Sequence, residues 1–300
     1  MNTTTFLLQG FPGLHDFRIV VFVVLFNIYL TTICWNLMVL ILVACSKNLQ
    51  SPMYFFMAQL TISDIMTSSD IVPNMLHMVL NNGSLMSIPQ CISQFFFFGF
   101  SETSECLLLT AMCYDRYLAI CHPLHYSSIM NPGFCLKLIL TFWILGFTAT
   151  LIVTVNLSQL HFCRSDVIDH FFCDYDPILK VSCSNTLKIK SLSTILSLLI
   201  IMFPFLLVVL SYAYIVHTIL KIKSISHRQK VFSTCGSHLI VVSIFYGTLI
   251  SIYSTPEREK SNALRKILSM AYTVCTPFTN PVIYCLRNKD IKKALKKILQ

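Results

Sequence analysis

Residues 191–220 read SLSTILSLLIIMFPFLLVVLSYAYIVHTIL, which is thirty consecutive positions without a charged side chain. A helix rises about 1.5 Å per residue, and about 20 apolar residues therefore cross the hydrocarbon core of a bilayer. Four further stretches without charge cover residues 19–46, 138–163, 231–256 and 267–286. The sequence therefore predicts several membrane-spanning helices.

The composition agrees with residence in a membrane. Of 300 residues, 55% are hydrophobic and 12% are charged, and the mean hydropathy is +0.70. An ordinary soluble domain is about 25% charged. The composition therefore excludes a soluble globular protein, a disordered chain and a collagen-like fibre.

Two more apolar stretches, at about 53–80 and 88–121, are long enough to span although they contain acids. Counting both gives an all-α fold, a seven-transmembrane helix bundle formed by a single domain of residues 1–300. The predicted spans are 19–45, 53–80, 88–121, 135–157, 191–220, 231–254 and 266–286. The prolines Pro204 and Pro281 are expected to kink the fifth and seventh spans.

The distribution of Lys and Arg predicts the orientation. The loops after spans one, three and five, the tail 287–300 and Lys137 at the inner end of span four hold twelve bases and one acid. The opposite side, counted with Lys266 at the outer end of span seven, holds nine bases and seven acids. Basic loops stay in the cytoplasm. We therefore expect a cytoplasmic C-terminus, an extracellular N-terminus (1–18) and an extracellular loop at 158–190. The tail has the pattern of an amphipathic helix on the inner leaflet, so membrane lipid accounts for the basic charge and no nucleic-acid partner is needed.

Features of the predicted outer side indicate modification and cross-linking. Asn2 begins an Asn-Thr-Thr glycosylation sequence. Four cysteines (Cys91, Cys163, Cys173 and Cys183) lie on this oxidising side, and their spacing leaves three pairings open. Disulfides would hold loop 158–190 over the bundle as a lid. A metal site at His170 and Cys173 is the alternative to a plain disulfide.

Residues 112–121 read MCYDRYLAIC and place Asp115 beside Arg116 at the inner end of the third span. An acid and a base inside an apolar helix are costly unless they are paired or exposed. A pair that can separate forms a two-state element suited to a switch. The alternative is an interfacial ion pair with no signalling role.

This segment resembles the signature of the olfactory receptors, a branch of the rhodopsin-like G-protein-coupled receptors. Other segments resemble motifs of the same family: PMYFF at 52–56, Ser211-Tyr212, KVFSTCGSH at 230–238, FYG at 245–247 and PFTNPVIY at 277–284. They cover nearly the whole chain in the expected order. The resemblance implies an odorant receptor of the plasma membrane without enzymatic activity or cofactor. It implies activation of a heterotrimeric G protein of the stimulatory olfactory type, which raises cyclic AMP.

The resemblance also implies roles for individual residues. It pairs Cys91 with Cys173 and Cys163 with Cys183. It places a small odorant ligand among Phe98, Glu102, Thr103, Leu196, Ile200, Tyr246, Leu249, Tyr253 and Thr273. It assigns the G-protein switch to Asp115, Arg116, Tyr117, Tyr212, His238, Asn280, Pro281 and Tyr284. It assigns a transmission core to Asn36, Asp64 and Glu105, with a monovalent cation near the two acids.

Alternatives remain at the acids within the spans. Asp64 and Glu105 could instead be polar packing between helices. Glu102 and Asp70 lie nearer the outside and could bind a protonated amine, or could be kept neutral by burial. A rival function is a transporter or channel with these acids as an ion path, but the sequence has no inverted repeat of broken helices. An enzyme is weaker still, because no triad or metal-ligand spacing is present in the sequence.

Overall fold

The structure is a computed structural model that describes residues 4–11, 13, 16–163, 165–255 and 262–298. Asn2 lies outside the described residues, and the side chain of Tyr253 is likewise not described. The predictions for these two positions therefore stay predictions.

Helices account for most of the described chain. They are α1 (Arg18–Cys45), α2 (Pro52–Asn81), α3 (Ile88–Cys121), α4 (Pro123–Ile129), α5 (Pro132–Ser158), α6 (Tyr175–Lys180), α7 (Leu187–Ser197), α8 (Phe203–Leu220), α9 (Ile225–Ser254), α10 (Asn262–Met270), α11 (Thr276–Arg287) and α12 (Lys289–Ile298). A π-helical turn at Leu198–Met202 joins α7 to α8, and a second at Ala271–Cys275 joins α10 to α11. The bundle thus consists of α1, α2, α3, α5, α7–α8 (the fifth helix), α9 (the sixth) and α10–α11 (the seventh).

Several helices extend beyond the predicted spans. The sixth begins at Ile225 rather than at 231, the fifth at Leu187 rather than at 191, and the seventh at Asn262 rather than at 266. A charged residue ends a charge-free stretch but does not end a helix, because caps and prolines do that. At the start of α5, Asn131 caps the backbone N–H of Phe134, and Pro132 is the first helical residue.

Among the described residues, four helical stretches are long and apolar enough by composition alone to cross a membrane: Arg18–Cys45, Pro132–Ser158, Leu187–Leu220 and Cys235–Ile252. The second and third bundle helices carry the intramembrane acids. The seven-helix arrangement therefore depends on packing as well as on hydropathy.

The prolines of the fifth and seventh helices each free a backbone carbonyl, because proline has no N–H for the residue four positions earlier. The carbonyl of Ile200, four before Pro204, accepts a bond from the Cys106 thiol at 3.2 Å. The carbonyl of Pro277, four before Pro281, accepts from Asn36 Nδ2 at 3.1 Å. Side chains of α3 and α1 thus donate hydrogen bonds to the carbonyls that the two prolines leave free.

The side predicted to be extracellular, called the outer side below, carries a small sheet that the sequence did not predict. Strand β1 (Thr5–Leu8) pairs antiparallel with β2 (Ser84–Ser87), with Thr5 opposite Ser87, and parallel with β3 (Val167–Ile168). The N-terminal segment is therefore part of the lid formed by loop 158–190.

Two disulfides hold the lid. Cys91 at the start of α3 is joined to Cys173, and the Cα atoms are 5.4 Å apart. Cys163 is joined to Cys183, with a Cα separation of 5.8 Å. These are the pairings that the family resemblance implies. With Cys173 in a disulfide, it is not a thiolate ligand, and no cluster of metal-binding side chains occurs among the described residues.

Candidate functional site

A cavity of about 860 Å³ lies in the outer half of the bundle. Its walls come from α3, α5, the fifth, sixth and seventh helices and the lid. Eight of the nine predicted ligand residues line it: Phe98, Glu102, Thr103, Leu196, Ile200, Tyr246, Leu249 and Thr273. The structure therefore brings together side chains from positions 98 to 273 around one space.

Aromatic contacts form the roof and floor of this cavity. The ring centroid of Phe98 is 4.9 Å from that of Phe172 in the lid and 6.1 Å from that of Tyr272 in the seventh helix. On the floor, the Tyr246 hydroxyl lies 3.2 Å from Cys106 Sγ, and its ring lies 4.9 Å from Phe205. Tyr246 thus connects the cavity to α3 and to the fifth helix.

The two outward acids have different surroundings. Glu102 lines the cavity, and its carboxylate makes no hydrogen bond or ion pair with another described residue. Asp70 does not line the cavity, and its buried Oδ2 has no hydrogen-bond partner in the described part of the chain. Asp70 therefore does not share this cavity with Glu102, which faces the cavity from α3.

The outer rim of the cavity is charged, with Asp174, Asp176, Lys190 and Arg265 among its lining residues. Arg265 Nη1 lies 3.3 Å from Asp176 Oδ2. Burial raises the pKa of Asp174 to about 6, and the nearby charge of Asp176 adds to this, although the Tyr175 N–H and Arg265 act in the opposite direction. Sequence reasoning did not select these rim residues, since it treated them as ordinary loop charges.

A second missed residue, Lys266, ties three outer segments together. Its side chain is buried, and Nζ donates to the Gly10 carbonyl at 2.7 Å and to the carboxylate of Asp169. Partial burial opposes the charge of Asp169, but the hydrogen bond and charge of Lys266 outweigh it and lower the pKa of Asp169. Burial, followed by the charge of Lys266, lowers the pKa of the adjacent His170 to about 3, so His170 is neutral.

Below the cavity, the predicted transmission core is buried and in contact. Asn280 Nδ2 lies 3.0 and 3.2 Å from the two oxygens of Asp64 and 3.5 Å from Glu105 Oε1. Asn36 contacts the seventh helix through Pro277. A single amide therefore joins acids of the second and third helices to the seventh.

At the inner end, Arg116 Nη2 lies 2.6 Å from Asp115 Oδ2. The hydroxyl of Tyr126 in α4 donates to the other Asp115 oxygen at 2.8 Å. The sequence predicted the ion pair but not this second partner.

The remaining switch residues lie nearby but make other contacts. Tyr212 bonds to Nδ1 of His238 at 2.7 Å, and Tyr117 bonds to His122 Nε2 at 2.9 Å. The buried Tyr284 hydroxyl has no hydrogen-bond partner among the residues described. Tyr212 is thus hydrogen-bonded to the sixth helix. If Arg116 leaves Asp115 and pairs with Tyr212, the hydrogen bond between Tyr212 and His238 must change.

Comparison with known proteins gives one consistent result. A sequence model described as "Olfactory receptor" matches residues 25–300. The chain is 41% identical over 294 residues to olfactory receptor 1468 of Rattus norvegicus, covering 98% of this chain and 94% of that protein. It is 41% identical over 296 residues to olfactory receptor 6C3 of Homo sapiens, covering 99% and 95%. It is 42% identical over 298 residues to olfactory receptor 1E2 of Gorilla gorilla gorilla, again covering 99% and 95%.

Proposed function

The chain belongs to the olfactory receptor family, a family of non-enzymatic multi-pass receptors of the plasma membrane, and we propose that it binds a small organic odorant in the cavity above Tyr246. The observation that carries this proposal is the enclosure of one apolar space by the third, fifth, sixth and seventh helices and the lid. Pockets of roughly 300–1,000 Å³ suit small organic ligands. An odorant that binds the active arrangement better shifts an existing equilibrium.

We propose that the output is a heterotrimeric G protein of the stimulatory olfactory type, which raises cyclic AMP. The inner ends of the third, fifth and sixth helices part, and Arg116 leaves Asp115 to contact the G protein. Tyr246 in the sixth helix links ligand contact to this motion, because it also touches Cys106. Asp64, Glu105 and Asn280 transmit it to the seventh helix and form the place for a monovalent cation.

The proposed orientation has the N-terminus outside and the C-terminus in the cytoplasm, with membrane lipid against the tail helix α12. It follows from the excess of inner bases. Asn2 is then an extracellular glycosylation site, and nucleic acid is not a partner.

A test of the signalling proposal uses cells that express the chain and a panel of volatile amines and neutral odorants. We expect cyclic AMP to rise with dose for at least one compound. Arg116→Ala should abolish the response at equal surface level, whereas Lys47→Ala in another inner segment should retain it. A ligand-gated current that persists without any G protein would instead support the transporter or channel alternative.

We further propose that the odorant carries an amine. Within the described part of the chain, the Glu102 carboxylate has no ion-pair partner, and the wall around it is largely apolar. A protonated amine gives such an acid a charged partner. Glu102→Gln should weaken amine responses about tenfold or more and spare neutral odorants. Asp70→Asn is the matched control, because Asp70 lies off the cavity. Equal amine potency in wild type and Glu102→Gln would refute the counter-ion role while leaving odorant binding intact.

A further inference from the structure

Three side chains belong both to the cavity lining and to the outer surface of the bundle. Leu198 is 54% exposed, Met202 43% and Ile250 46%, and all three line the cavity. Other lining side chains, such as Phe98 at 6% and Leu249 at 3%, are buried although they face the same cavity. The greater exposure of Leu198, Met202 and Ile250 is therefore exposure to the surroundings, and lining side chains that also reach the surroundings mark an opening in the wall.

Leu198 and Met202 lie on the fifth helix and Ile250 on the sixth, on the sides that line the cavity. Leu198 and Met202 are four residues apart, and the next turn places Phe205 against Tyr246 of the sixth helix. That face of the fifth helix is therefore turned toward the sixth. Ile250 follows Tyr246 by four residues and lies on the same face of α9, one turn nearer the outside.

Backbone packing between the two helices is uneven. In the described part of the chain, α9 packs against α8 but only marginally, if at all, against residues 187–202. The π-helical turn Leu198–Met202 lies at this position. The fifth and sixth helices are thus joined on their inner halves and separate toward the outside.

The opening faces the hydrocarbon of the bilayer. Residues 191–220 and 231–256 contain no charged side chain, so both edges of the opening are apolar. The outer rim, by contrast, carries Asp174, Asp176, Lys190 and Arg265. An apolar molecule that enters from water passes charged groups, whereas one that enters from the lipid passes hydrocarbon side chains.

We propose that Leu198, Met202 and Ile250 form a side portal through which apolar ligands dissolved in the bilayer enter the cavity. The opening itself does not depend on the proposed odorant function, but its use by odorants does. The portal favours ligands that partition into the membrane, since their concentration there exceeds that in water.

The test uses Thr103→Cys, which places a thiol on the cavity wall, in receptor reconstituted into lipid nanodiscs. Two thiol reagents are compared: N-hexylmaleimide, which partitions into lipid, and a charged sulfonatoethyl methanethiosulfonate, which stays in water. Mass spectrometry of the peptide around position 103 gives the rate at that site despite the native cysteines. Neither odorant nor G protein is needed, so a negative result leaves the signalling proposal standing.

The portal is narrowed by Ile250→Trp or, as a second variant, by Met202→Trp. Leu207→Trp is the matched control, because Leu207 is exposed on the fifth helix but does not line the cavity. We expect the N-hexylmaleimide rate to fall at least about tenfold in a portal variant and to stay unchanged in the control. The rate of the charged reagent should be the same in the portal variants, the control and the parent Thr103→Cys receptor. An unchanged rate also shows that the cavity is intact. Equal loss of both rates in the portal variants, or loss of neither, overturns the proposal.

Discussion

Asp115 is a buried carboxylate with two kinds of donor, the Arg116 guanidinium and the Tyr126 hydroxyl. Tyr126→Phe removes one donor and leaves a buried acceptor unsatisfied, which costs about 1–3 kcal/mol. Because this contact exists in the arrangement with Arg116 paired, its loss should favour the arrangement in which Arg116 is released. We expect agonist-independent cyclic AMP to rise several-fold at equal surface level.

The control for this prediction is Tyr114→Phe, since Tyr114 is exposed on the same inner part of α3. It should leave basal signalling as in wild type. Unchanged basal signalling in Tyr126→Phe would mean that the α4 hydroxyl does not hold the inactive arrangement.

Asp174 gives a prediction for pH. Its pKa in the fold is about 6, above the ordinary value of 3.8, because burial disfavours the charge. The folded state therefore binds the proton more tightly than the unfolded state, and the ionised carboxylate destabilises the fold at pH 7. This cost, about 1–3 kcal/mol, should decline as the pH falls through about 6 and be absent below about 4.

Asp174→Asn removes that charge and keeps a good N-cap for α6, because Asn and Asp are similar caps. We expect the melting temperature of the purified receptor to rise by a few degrees at pH 7, with little difference from wild type near pH 4. Thermal melts of the variant and the wild type at pH 4, 5, 6 and 7 measure this difference in melting temperature. A lower melting temperature of the variant at pH 7 would show that attraction to Arg265 outweighs the burial of Asp174.

For single residues, the sequence was informative where the chemistry of a residue alone implies that it needs a hydrogen-bond partner. A proline predicts a free carbonyl four residues earlier, and a buried acid predicts a donor. It could not identify the donors Tyr126 and Lys266, because Tyr126 lies in a segment predicted as a loop and Lys266 is the first residue of the predicted seventh span, where no local pattern names its partner. No local sequence pattern shows that Lys266 lies within hydrogen-bonding distance of the Gly10 carbonyl.

Among the elements, long apolar helices were predictable and short outer ones were not. A span of about 20 apolar residues is favoured by the bilayer itself. Strand β1 has four residues and α6 has six, and elements that short are stable only through contacts with the rest of the fold. The lid was predicted as a loop with disulfides, whereas the structure adds β1, β3 and α6.

The contacts of Lys266 predict how firmly these short elements are held together. Lys266→Met should remove the tie between α10, the Gly10 carbonyl and Asp169, and so loosen β1 from β3. Hydrogen exchange should become about tenfold faster at the amides of Leu7, Gln9 and Gly10, which donate to lid carbonyls. Because Lys266 lowers the pKa of Asp169, the tie in the wild type should hold unchanged from pH 7 to pH 5.

Arg265→Met is the control, since it breaks the neighbouring contact to Asp176 and leaves the Gly10 bond in place. It should leave the exchange of those three amides near the wild-type rate. Equal acceleration in both variants would indicate general loosening of α10 rather than a specific tie.

Over the whole molecule, the positions of the charged residues say more about its organisation than the net charge does. The chain has a net charge of +9, and its charges lie at four levels: the outer rim, the intramembrane acids, the Asp115–Arg116 pair and the inner loops. Under the proposed function, the intramembrane acids, the Asp115–Arg116 pair and the inner loops correspond to successive steps from ligand binding to output. The uncharged lengths between them hold the helices in the bilayer, and the prolines Pro204 and Pro281 lie within those lengths.

The inner excess of bases yields a prediction for topology. Twelve bases against one acid should keep the inner loops and tail in the cytoplasm. In intact cells, an antibody should therefore bind an N-terminal tag, whereas a C-terminal tag should stain after permeabilisation alone. Asn2→Gln should remove a glycosidase-sensitive increase in mass. Staining of the C-terminal tag without permeabilisation would reverse the orientation, place the Asp115–Arg116 pair outside, and leave no route from Arg116 to a cytoplasmic G protein.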